Sequence, residues 1–440
     1  MLARYSGTVR ASCRERGLAA KWQLCDVFAR NFLPDDSMRI AFLTHEPFYP
    51  PSGGGSAEAV YLVEEMVRRG HEVDIFCPRV ADAAEVEKRF GVNLHEFRAW
   101  QMGRYAKLRN VKYLLYPFFL ERMVESEARR RKFDILLSQH SIAAVTAGKL
   151  RAKSKIPVVM NFLDYLSGFM ESWPSYVMPK PVLARIMDYE LSLPCRYQAD
   201  AVLTVSDTLA DCFADRGFPR TRLLPIYYGY DSNLFNAVSR AAFPEPEQPP
   251  VVVMHGSFDQ HHLGRIAREA FDRVLAARPE VSFRFIGQRT AALNRLVGIM
   301  KSEHPGARIE CTGFLPYAEV ARRLAGASVG LVPYEASRGV HCAFVAKIVE
   351  YLAMGLPVAS TPLDSARRYF AGEPLTRFSG FDGASFAGKI LSWLDEPLAQ
   401  RQALAAPAME KVKARLDWRV ISRNAIDFVE ATQRMAASSR

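Results

Sequence analysis

The chain has little that would mark it as a secreted or membrane-spanning protein. Its seven cysteines show no paired spacing, and their odd number argues against a disulfide framework. Its longest apolar run, residues 113–120, is far shorter than the ~18 residues that a membrane-spanning helix needs. The first residues also lack the apolar centre of a secretory signal. We therefore expect reduced thiols and a cytoplasmic location.

Nucleic-acid-binding motifs are missing as well. The sequence contains no RNP-like aromatic motif, no zinc-finger spacing and no basic heptad helix. The net charge of +11 therefore does not point to a nucleic-acid partner. The remaining interpretations of that charge are an anionic membrane surface and phosphorylated substrates.

What is present is the composition of an ordinary globular protein, with 49% of residues hydrophobic and 24% charged. A chain of 440 residues exceeds the size at which one core keeps growing, so we expect at least two domains. The proline-dense segment 243–250 is the best candidate for a linker, because proline prevents regular structure there.

On both sides of this linker, short apolar runs alternate with helical ones, which predicts parallel sheets covered by helices. Before the linker, the pattern predicts a helix over 56–69, a helix N-cap at Ser206, and strands over 39–44, 72–77, 135–138, 158–162 and 201–205. After it, the pattern predicts helices near 264–277 and 318–325 and strands over 251–255, 282–286, 308–312 and 329–332. The predicted fold class is α/β, with two doubly wound domains.

The chain then divides into four parts. Residues 1–37 form an N-terminal extension, for which Met38 as the native start and a short docking arm are two interpretations. Residues 38–243 form the first domain and residues 251–415 the second. Residues 416–440 form an amphipathic last helix, which we expect to pack back on the first domain.

A glycine-rich loop joins the first predicted strand to its helix. Gly53, Gly54 and Gly55 let a ligand approach the backbone, and the start of a helix favours an anion or a sugar hydroxyl. The Gly-x-Gly-x-x-Gly spacing of a dinucleotide site is absent. We favour a ligand-binding loop at the carboxyl end of the strand, with a tight turn as the alternative.

A second candidate site lies on the predicted helix that ends at Gly355. Lys347 and Glu350 are three residues apart on this helix and share a face. A diphosphate could lie against residues 339–344 at the helix start, and Glu350 could accept hydrogen bonds from a ribose. The alternative is a solvated surface pair of Lys and Glu.

These motifs resemble those of retaining GT-B glycosyltransferases, in particular the large family four. The resemblance covers nearly everything from Met38 onward. It rests on matches at the glycine loop, at 134–148, at 225–235 with Gly229, Asp231 and Phe235, at 313–316, at 332–333 and at 347–361. It implies the GT-B fold, in which two Rossmann-like domains face each other across a cleft.

The resemblance also implies a division of roles. The C-terminal domain would bind a nucleotide-sugar donor of the UDP or GDP type, and the N-terminal domain would bind the acceptor. The sugar would be transferred with retained anomeric configuration, without a metal and without a cofactor beyond the nucleotide sugar itself. Backbone dipoles and basic side chains would stabilise the departing diphosphate.

The family's donor-site residues match this chain unevenly. Glu350 matches the second Glu of the E-x7-E motif, whereas Cys342 stands where the first is expected. The basic pair after the first C-terminal strand is also changed, and His261 or His262 would replace a Lys there. The expected donor-binding set is Gly256, Ser257, His262, Cys342, Ala343, Phe344, Lys347 and Glu350.

Two residues of the first domain are candidate catalytic groups. His140 ends a predicted strand and matches the family's cleft histidine, with a hydrogen-bonded core histidine as the alternative. Asp164 follows another strand and could orient an acceptor hydroxyl or accept its proton. Its alternative role is that of a helix N-cap.

The segment 104–132 interleaves basic residues with the aromatic and apolar run 113–120. This pattern suits peripheral contact with an anionic membrane, or a lipid-linked acceptor at its inner face. The alternative is an amphipathic helix with a solvated face.

The leading hypothesis is a glycosyltransferase that uses a nucleotide-diphosphate donor and a glycan, lipid-linked or small-molecule acceptor. The altered basic pair and Cys342 motivate an alternative, a catalytically silent GT-B subunit that binds sugars or a partner. An epimerase that acts on the nucleotide sugar is a third hypothesis, but it needs acid and base carboxylates for which the cleft offers few candidates.

Overall fold

The computed structural model describes residues 37–50, 54–97, 112–173, 175–239 and 246–438. Nearly all of the predicted N-terminal extension lies outside these residues. Gly53, the first three residues of the linker 243–250 and the first part of the basic segment 104–132 lie outside them as well.

The first domain contains a seven-stranded parallel sheet in the order β3-β2-β1-β4-β5-β6-β7. Its strands are β1 (Arg39–Leu43), β2 (Glu72–Pro78), β3 (Asn93–Phe97), β4 (Ile135–Gln139), β5 (Val158–Phe162), β6 (Ala201–Thr204) and β7 (Leu223–Pro225). The five predicted strands match β1, β2, β4, β5 and β6 within one or two residues. Every residue of β1, β4 and β5 is buried, as expected for strands with helices on both faces.

Eight helices accompany this sheet in the described residues. They are α1 (Gly54–Arg68), α2 (Ala83–Phe90), α3 (Lys112–Arg130), α4 (His140–Ser154), α5 (Leu166–Phe169), α6 (Lys180–Arg196), α7 (Asp207–Ala214) and α8 (Ser232–Ser239). The Ser206 hydroxyl accepts a hydrogen bond from the Leu209 N–H at 3.1 Å, which confirms the predicted N-cap.

The second domain repeats this architecture with six parallel strands in the order β10-β9-β8-β11-β12-β13. The strands are β8 (Val251–His255), β9 (Ser282–Ile286), β10 (Arg308–Gly313), β11 (Val329–Val332), β12 (Val358–Ser360) and β13 (Thr376–Phe378). The helices are α9 (Arg265–Ala277), α10 (Ala291–Glu303), α11 (Tyr317–Leu324), α12 (Arg338–Cys342), α13 (Ala346–Ala353), α14 (Asp364–Tyr369), α15 (Gly383–Asp395), α16 (Leu398–Leu416) and α17 (Trp418–Ser438).

The last helix, α17, returns to the first domain and lies against α1. The Arg69 guanidinium contacts the carboxylates of Asp427 at 2.7 Å and Glu430 at 3.0 Å. The Trp418 ring stacks on the Tyr61 ring with 5.6 Å between centroids. Apolar and ionic contacts therefore both hold the C-terminal end of the chain on the first domain.

The two domains also touch directly beside the cleft. A Cβ atom on Gly168 would lie 2.5 Å from the backbone nitrogen of Gly339, so the two backbones meet with no room for a side chain. The guanidinium of Arg368, in the second domain, pairs with the carboxylate of Asp211, in the first. Within the described residues, no helix is long and apolar enough to cross a bilayer.

Candidate active site

The carboxyl ends of β8 and β11 meet where the strand order of the second sheet reverses, which is where open α/β sheets bind ligands. Gly256 follows β8 directly and has a φ of 92°, a conformation that favours glycine. A Cβ atom there would lie 3.2 Å from the Lys347 ammonium. Glycine therefore lets the lysine of α13 approach the backbone at the end of β8.

Lys347 donates a hydrogen bond to the hydroxyl of Tyr334, with 2.8 Å between the two atoms. The Tyr334 ring in turn contacts the His262 ring, with centroids 4.5 Å apart, and the His261 ring packs against His262 at 3.8 Å. Three predicted residues, Gly256, Lys347 and His262, are thus brought into one cluster. Tyr334 was not predicted, although it comes two residues after the end of a strand.

Glu350 is buried, with 6% of its surface exposed. Its carboxylate accepts a hydrogen bond from the Tyr317 hydroxyl at 2.5 Å and contacts the His255 imidazole through its other oxygen. Burial and the Glu350 charge raise the pKa of Tyr317 well above its usual value, so this hydroxyl stays protonated. The alternative of a solvated surface pair of Lys and Glu is wrong for this helix.

The carboxylate of Glu350 keeps acceptor capacity beyond these two contacts. An ionised carboxyl group has about four lone-pair positions. Tyr317 and His255 therefore hold the carboxylate in a fixed orientation, and lone-pair positions remain on it for further hydrogen bonds.

Two helix starts near this cluster differ in what covers them. The N–H of Ile266, at the start of α9, donates to the Glu335 carboxylate at 2.8 Å. The residue before α13, Val345, supplies no side-chain cap. Because a carboxylate already sits on α9, the positive end of α13 is the better place for an anion.

The segment 339–344 uses several of its polar groups within the protein. The Val340 N–H donates to the Ser337 hydroxyl, and the Ala343 N–H donates to the Gly339 carbonyl. The Ala343 carbonyl accepts a hydrogen bond from the Ser365 hydroxyl. A diphosphate would therefore find fewer N–H groups here than the sequence suggested.

The side chains of Cys342 and Phe344 face the first domain instead of the Lys347 cluster. The Cys342 sulfur lies 3.8 Å from the sulfur of Cys212. The Phe344 ring packs on Tyr227 and Tyr369, each with 5.0 Å between centroids. Ser257 follows Gly256 and is half-buried. The roles of Cys342, Ala343, Phe344 and Ser257 in donor binding stay predictions.

One group of candidate metal ligands occurs in the described part of the chain. Asp259, His261 and His262 bring one ligand atom each within 4.8 Å of one another. The Nδ1 atom of His262 already accepts the backbone N–H of Asp259 at 3.2 Å, and a metal would compete with that bond. The group could hold a divalent cation only after His262 changes partners.

The corresponding edge of the first sheet carries a different set of residues. His140 opens α4 immediately after β4 and has a φ of 67°, a strained conformation for a non-glycine residue. It is buried, and its ring meets that of His45 edge-on at 4.8 Å. His45 follows β1, so the two histidines end neighbouring strands.

A buried carboxyl group lies at the same edge. Glu58 of α1 accepts a hydrogen bond from the Asn161 amide at 2.7 Å. Burial, opposed by the hydrogen bond from Asn161 and aided by the nearby Asp164 charge, raises the pKa of Glu58 to about 8. Sequence reasoning missed Glu58 and Asn161. The sequence did offer a signal for both residues. Glu58 lies one turn after the glycine loop, and Asn161 lies at the end of the predicted strand β5.

Asp164 lies two residues after β5. The next helix, α5, begins at Leu166 and has Tyr165 as its N-cap, so the N-cap alternative for Asp164 is wrong. Gly54 and Gly55 form the first turn of α1, two residues earlier than the predicted helix start. Gly53 lies outside the described residues, and the role of the glycine loop in ligand binding stays a prediction.

The basic segment is described from residue 112 onward, as helix α3. Leu115, Phe118 and Phe119 are exposed on this helix, with Phe118 at 58%. Tyr116, Leu120 and Val124 are buried against the sheet. The outer face of α3 therefore carries apolar side chains in addition to charged ones.

Two Rossmann-like domains whose polar sheet edges lie beside one cleft define the GT-B fold. The family profile described as Glycosyltransferase Family 4 matches residues 52–234, and the profile described as Glycosyl transferases group 1 matches residues 249–396. The chain therefore belongs to the glycosyltransferases that these two profiles describe, with a family-four N-terminal domain and a group-1 C-terminal domain. No curated protein matches it by sequence.

Solved structures with the same fold include three GT-B proteins. Sucrose-phosphate synthase from Thermosynechococcus elongatus is 17% identical with a TM-score of 0.72, and the match covers 91% of this chain and 100% of that one. HepE of Anabaena in complex with UDP and glucose is 16% identical, with a TM-score of 0.66 and coverages of 89% and 99%. The lipopolysaccharide outer core galactosyltransferase WaaB is 14% identical, with a TM-score of 0.61 and coverages of 90% and 99%.

Proposed function

We propose that this glycosyltransferase moves a sugar, with retention, from a UDP- or GDP-linked donor to a glycan, lipid-linked or small-molecule acceptor. The observation that carries the proposal is the cluster at the end of β8, where Lys347 in the first turn of α13 contacts Tyr334 and Glu350 lies about one turn further along the same helix. A cation, a helix dipole and an oriented carboxylate are the groups that a nucleoside diphosphate requires.

In this proposal, Lys347 and the start of α13 bind the diphosphate. Both act on the charge that develops as the bond between sugar and phosphate breaks, which lowers the barrier to transfer. Glu350 accepts hydrogen bonds from the ribose hydroxyls, and Tyr317 with His255 keeps its carboxylate in place. Structures of HepE with UDP and with UDP-glucose, on the same fold, support a nucleotide-sugar donor.

The acceptor lies at the edge of the first sheet. Asp164 orients the acceptor hydroxyl and takes its proton, and His140 contacts the sugar between the two domains. Glu58, with a pKa of about 8, is mostly protonated at neutral pH and leaves Asp164 as the charged carboxylate of the pair. Lys347 supplies the positive charge at the diphosphate, so the proposal includes no metal ion and no cofactor.

We further propose that α3 contacts the surface of an anionic membrane when the acceptor is lipid-linked. Its exposed Leu115, Phe118 and Phe119 can enter the interface, and the arginines of its last turn can face lipid phosphates. Cosedimentation with anionic vesicles that is lost in Phe118→Ser would support this contact. Equal binding by both proteins would contradict it.

The alternative function, a silent GT-B subunit, is favoured by Cys342 at the position of the expected carboxylate. Incubation of the wild type with UDP- and GDP-sugars, with and without candidate acceptors, separates the two functions. Release of UDP or GDP that is lost in Asp164→Asn supports the transferase. Nucleotide binding without any turnover favours the silent subunit.

A further inference from the structure

Two cysteines from different domains face each other beside the cleft. Cys212 lies on α7 of the first domain and is half-buried, whereas Cys342 ends α12 of the second domain and is 3% exposed. Their sulfur atoms are 3.8 Å apart, which is hydrogen-bonding distance for two thiols. The residues are far apart in sequence, so no spacing motif connects them.

The backbones that carry these cysteines are held together by other contacts. The Ser206 hydroxyl, which caps α7, donates to the Cys342 carbonyl at 2.5 Å. Asp211, the neighbour of Cys212, pairs with Arg368 of the second domain. The sulfur atoms therefore meet because two short helices are packed against each other. A disulfide bond requires the sulfur atoms to close from 3.8 Å to ~2.05 Å.

The pair also has the proton arrangement that thiol chemistry requires. Either sulfur can donate the hydrogen bond that joins them, and this contact lowers the pKa of Cys212 and raises the pKa of Cys342. Burial and the charges of Asp215 and Asp211 oppose the lowering of the pKa at Cys212, whereas the Arg216 charge adds to it. Cys212 is therefore the more reactive of the two, because the thiolate is the attacking form.

We propose that Cys212 and Cys342 form a reversible disulfide between the two domains when a small-molecule disulfide of the glutathione class is the oxidant. The Cys212 thiolate attacks the oxidant, forms a mixed disulfide and releases one glutathione thiolate. The Cys342 thiol gives up its proton, and its sulfur attacks the Cys212 sulfur and expels the second glutathione thiolate. The two protein thiols lose two electrons and two protons, and the oxidant becomes two thiols.

The bond fixes the two domains in the arrangement that the structure shows. It joins α7 to α12 across the interface, and the chain between them includes the linker of the two domains. The oxidised chain therefore resists any motion that separates the two domains. This function also accounts for a cysteine at position 342, where the family resemblance leads one to expect a carboxylate.

Peptide mapping of the full chain tests the pair directly. The protein is incubated with glutathione disulfide, its remaining thiols are alkylated, and the digest is analysed by mass spectrometry. We expect a Cys212–Cys342 cross-linked peptide within one chain that a reducing agent removes. Cys212→Ser should lack this peptide, whereas Cys195→Ser, a change at an exposed cysteine of the same domain, should retain it.

Thermal unfolding gives a second, independent result. Oxidation should raise the melting temperature of the wild type and of Cys195→Ser by several degrees and leave Cys212→Ser unchanged, because a disulfide restricts the unfolded chain. A cross-link through Cys195 or between two chains would overturn the proposal. The proposal would also be overturned if the oxidant modified Cys195 while Cys212 and Cys342 were both recovered as alkylated thiols. None of these results depends on donor binding.

Discussion

The two sheet edges carry different side chains. The edge of the first sheet holds His45, His140 and the buried, mostly protonated Glu58. The edge of the second holds Lys347 with Tyr334, and Glu350 with Tyr317. Both sets follow parallel strands of the same topology. The first set can hold and move protons, and the second can bind negative charge and hydroxyl groups. Similar scaffolds thus carry different chemistry, because the strand ends hold different side chains.

Replacing Asp164, the proposed proton acceptor at the edge of the first sheet, should have the largest effect on the transfer rate. Asp164→Asn keeps the shape of the side chain but cannot take a proton, so we expect the transfer rate to fall by about 10²- to 10⁴-fold. Donor affinity should not change, because the proposed donor site lies at the other edge. Steady-state rates and calorimetric titration measure the two quantities. Asp188→Asn, an exposed change in the same domain, serves as the control, and an unchanged rate in Asp164→Asn would contradict the assignment.

The buried Glu58 should make the stability of the first domain depend on pH. Its folded pKa of about 8 lies above its ordinary value of 4.5, so the folded state binds the proton more tightly. The stabilisation is fully present below pH 4.5 and is lost as the pH rises toward 8, by about 1.4 kcal/mol per pH unit at most. Glu58→Gln should flatten this decline in urea unfolding measured from pH 5 to 8. Parallel curves for the two proteins would show that Glu58 is not the titrating group.

Replacing Lys347, the cation at the edge of the second sheet, should weaken donor binding and leave the residues at the edge of the first sheet unchanged. A hydrogen bond to a charged group contributes about 1.5–3 kcal/mol, so Lys347→Met should raise the Kd for a nucleoside diphosphate about 10- to 100-fold. The free nucleoside should bind both proteins equally, because it has no phosphate. Lys413→Met, at an exposed lysine of α16, is the matched control. An equal loss for nucleoside and diphosphate would place Lys347 away from the phosphates.

The smallest expected effects are changes in folding stability at two glycines of the second domain. Gly256→Ala should destabilise the fold by about 1–2 kcal/mol, because alanine disfavours its positive φ and its methyl group would press on Lys347. Gly298, inside α10, has open space around it, so Gly298→Ala should stabilise by about 0.5–1 kcal/mol. Urea midpoints compare the two variants. A loss of stability of the same size in both would contradict a specific role for Gly256.

Most of the strands that the sequence predicted are continuous, buried apolar runs, and the partly exposed β10 was predicted as well. It missed β3, whose residues Asn93–Phe97 are mostly half-exposed and include polar side chains, and it missed the three-residue β7. The short helix α12 was also missed, since five residues carry too little periodicity. The polar side chains of β3 and the short length of β7 and α12 remove the apolar periodicity on which such predictions depend.

The candidate site was predictable where its residues share one motif. Lys347 and Glu350 lie on one helix, and Gly256 follows a strand. Their partners Tyr317 and Tyr334 come from other strand and helix ends, which only the folded sheet brings near. The contact between Cys212 and Cys342 is the extreme case, since it depends on how the two domains pack.

Titration of UDP, GDP and ADP into the wild type and Glu350→Gln by calorimetry tests the central claim most directly. We expect either UDP or GDP to bind the wild type best, and the variant to bind it at least about tenfold more weakly, since one charged hydrogen-bond acceptor is lost. Glu319→Gln, an exposed change on α11, should bind like the wild type. Equal affinity in the wild type and Glu350→Gln, or no binding of any nucleotide, would contradict a donor site at the second sheet edge.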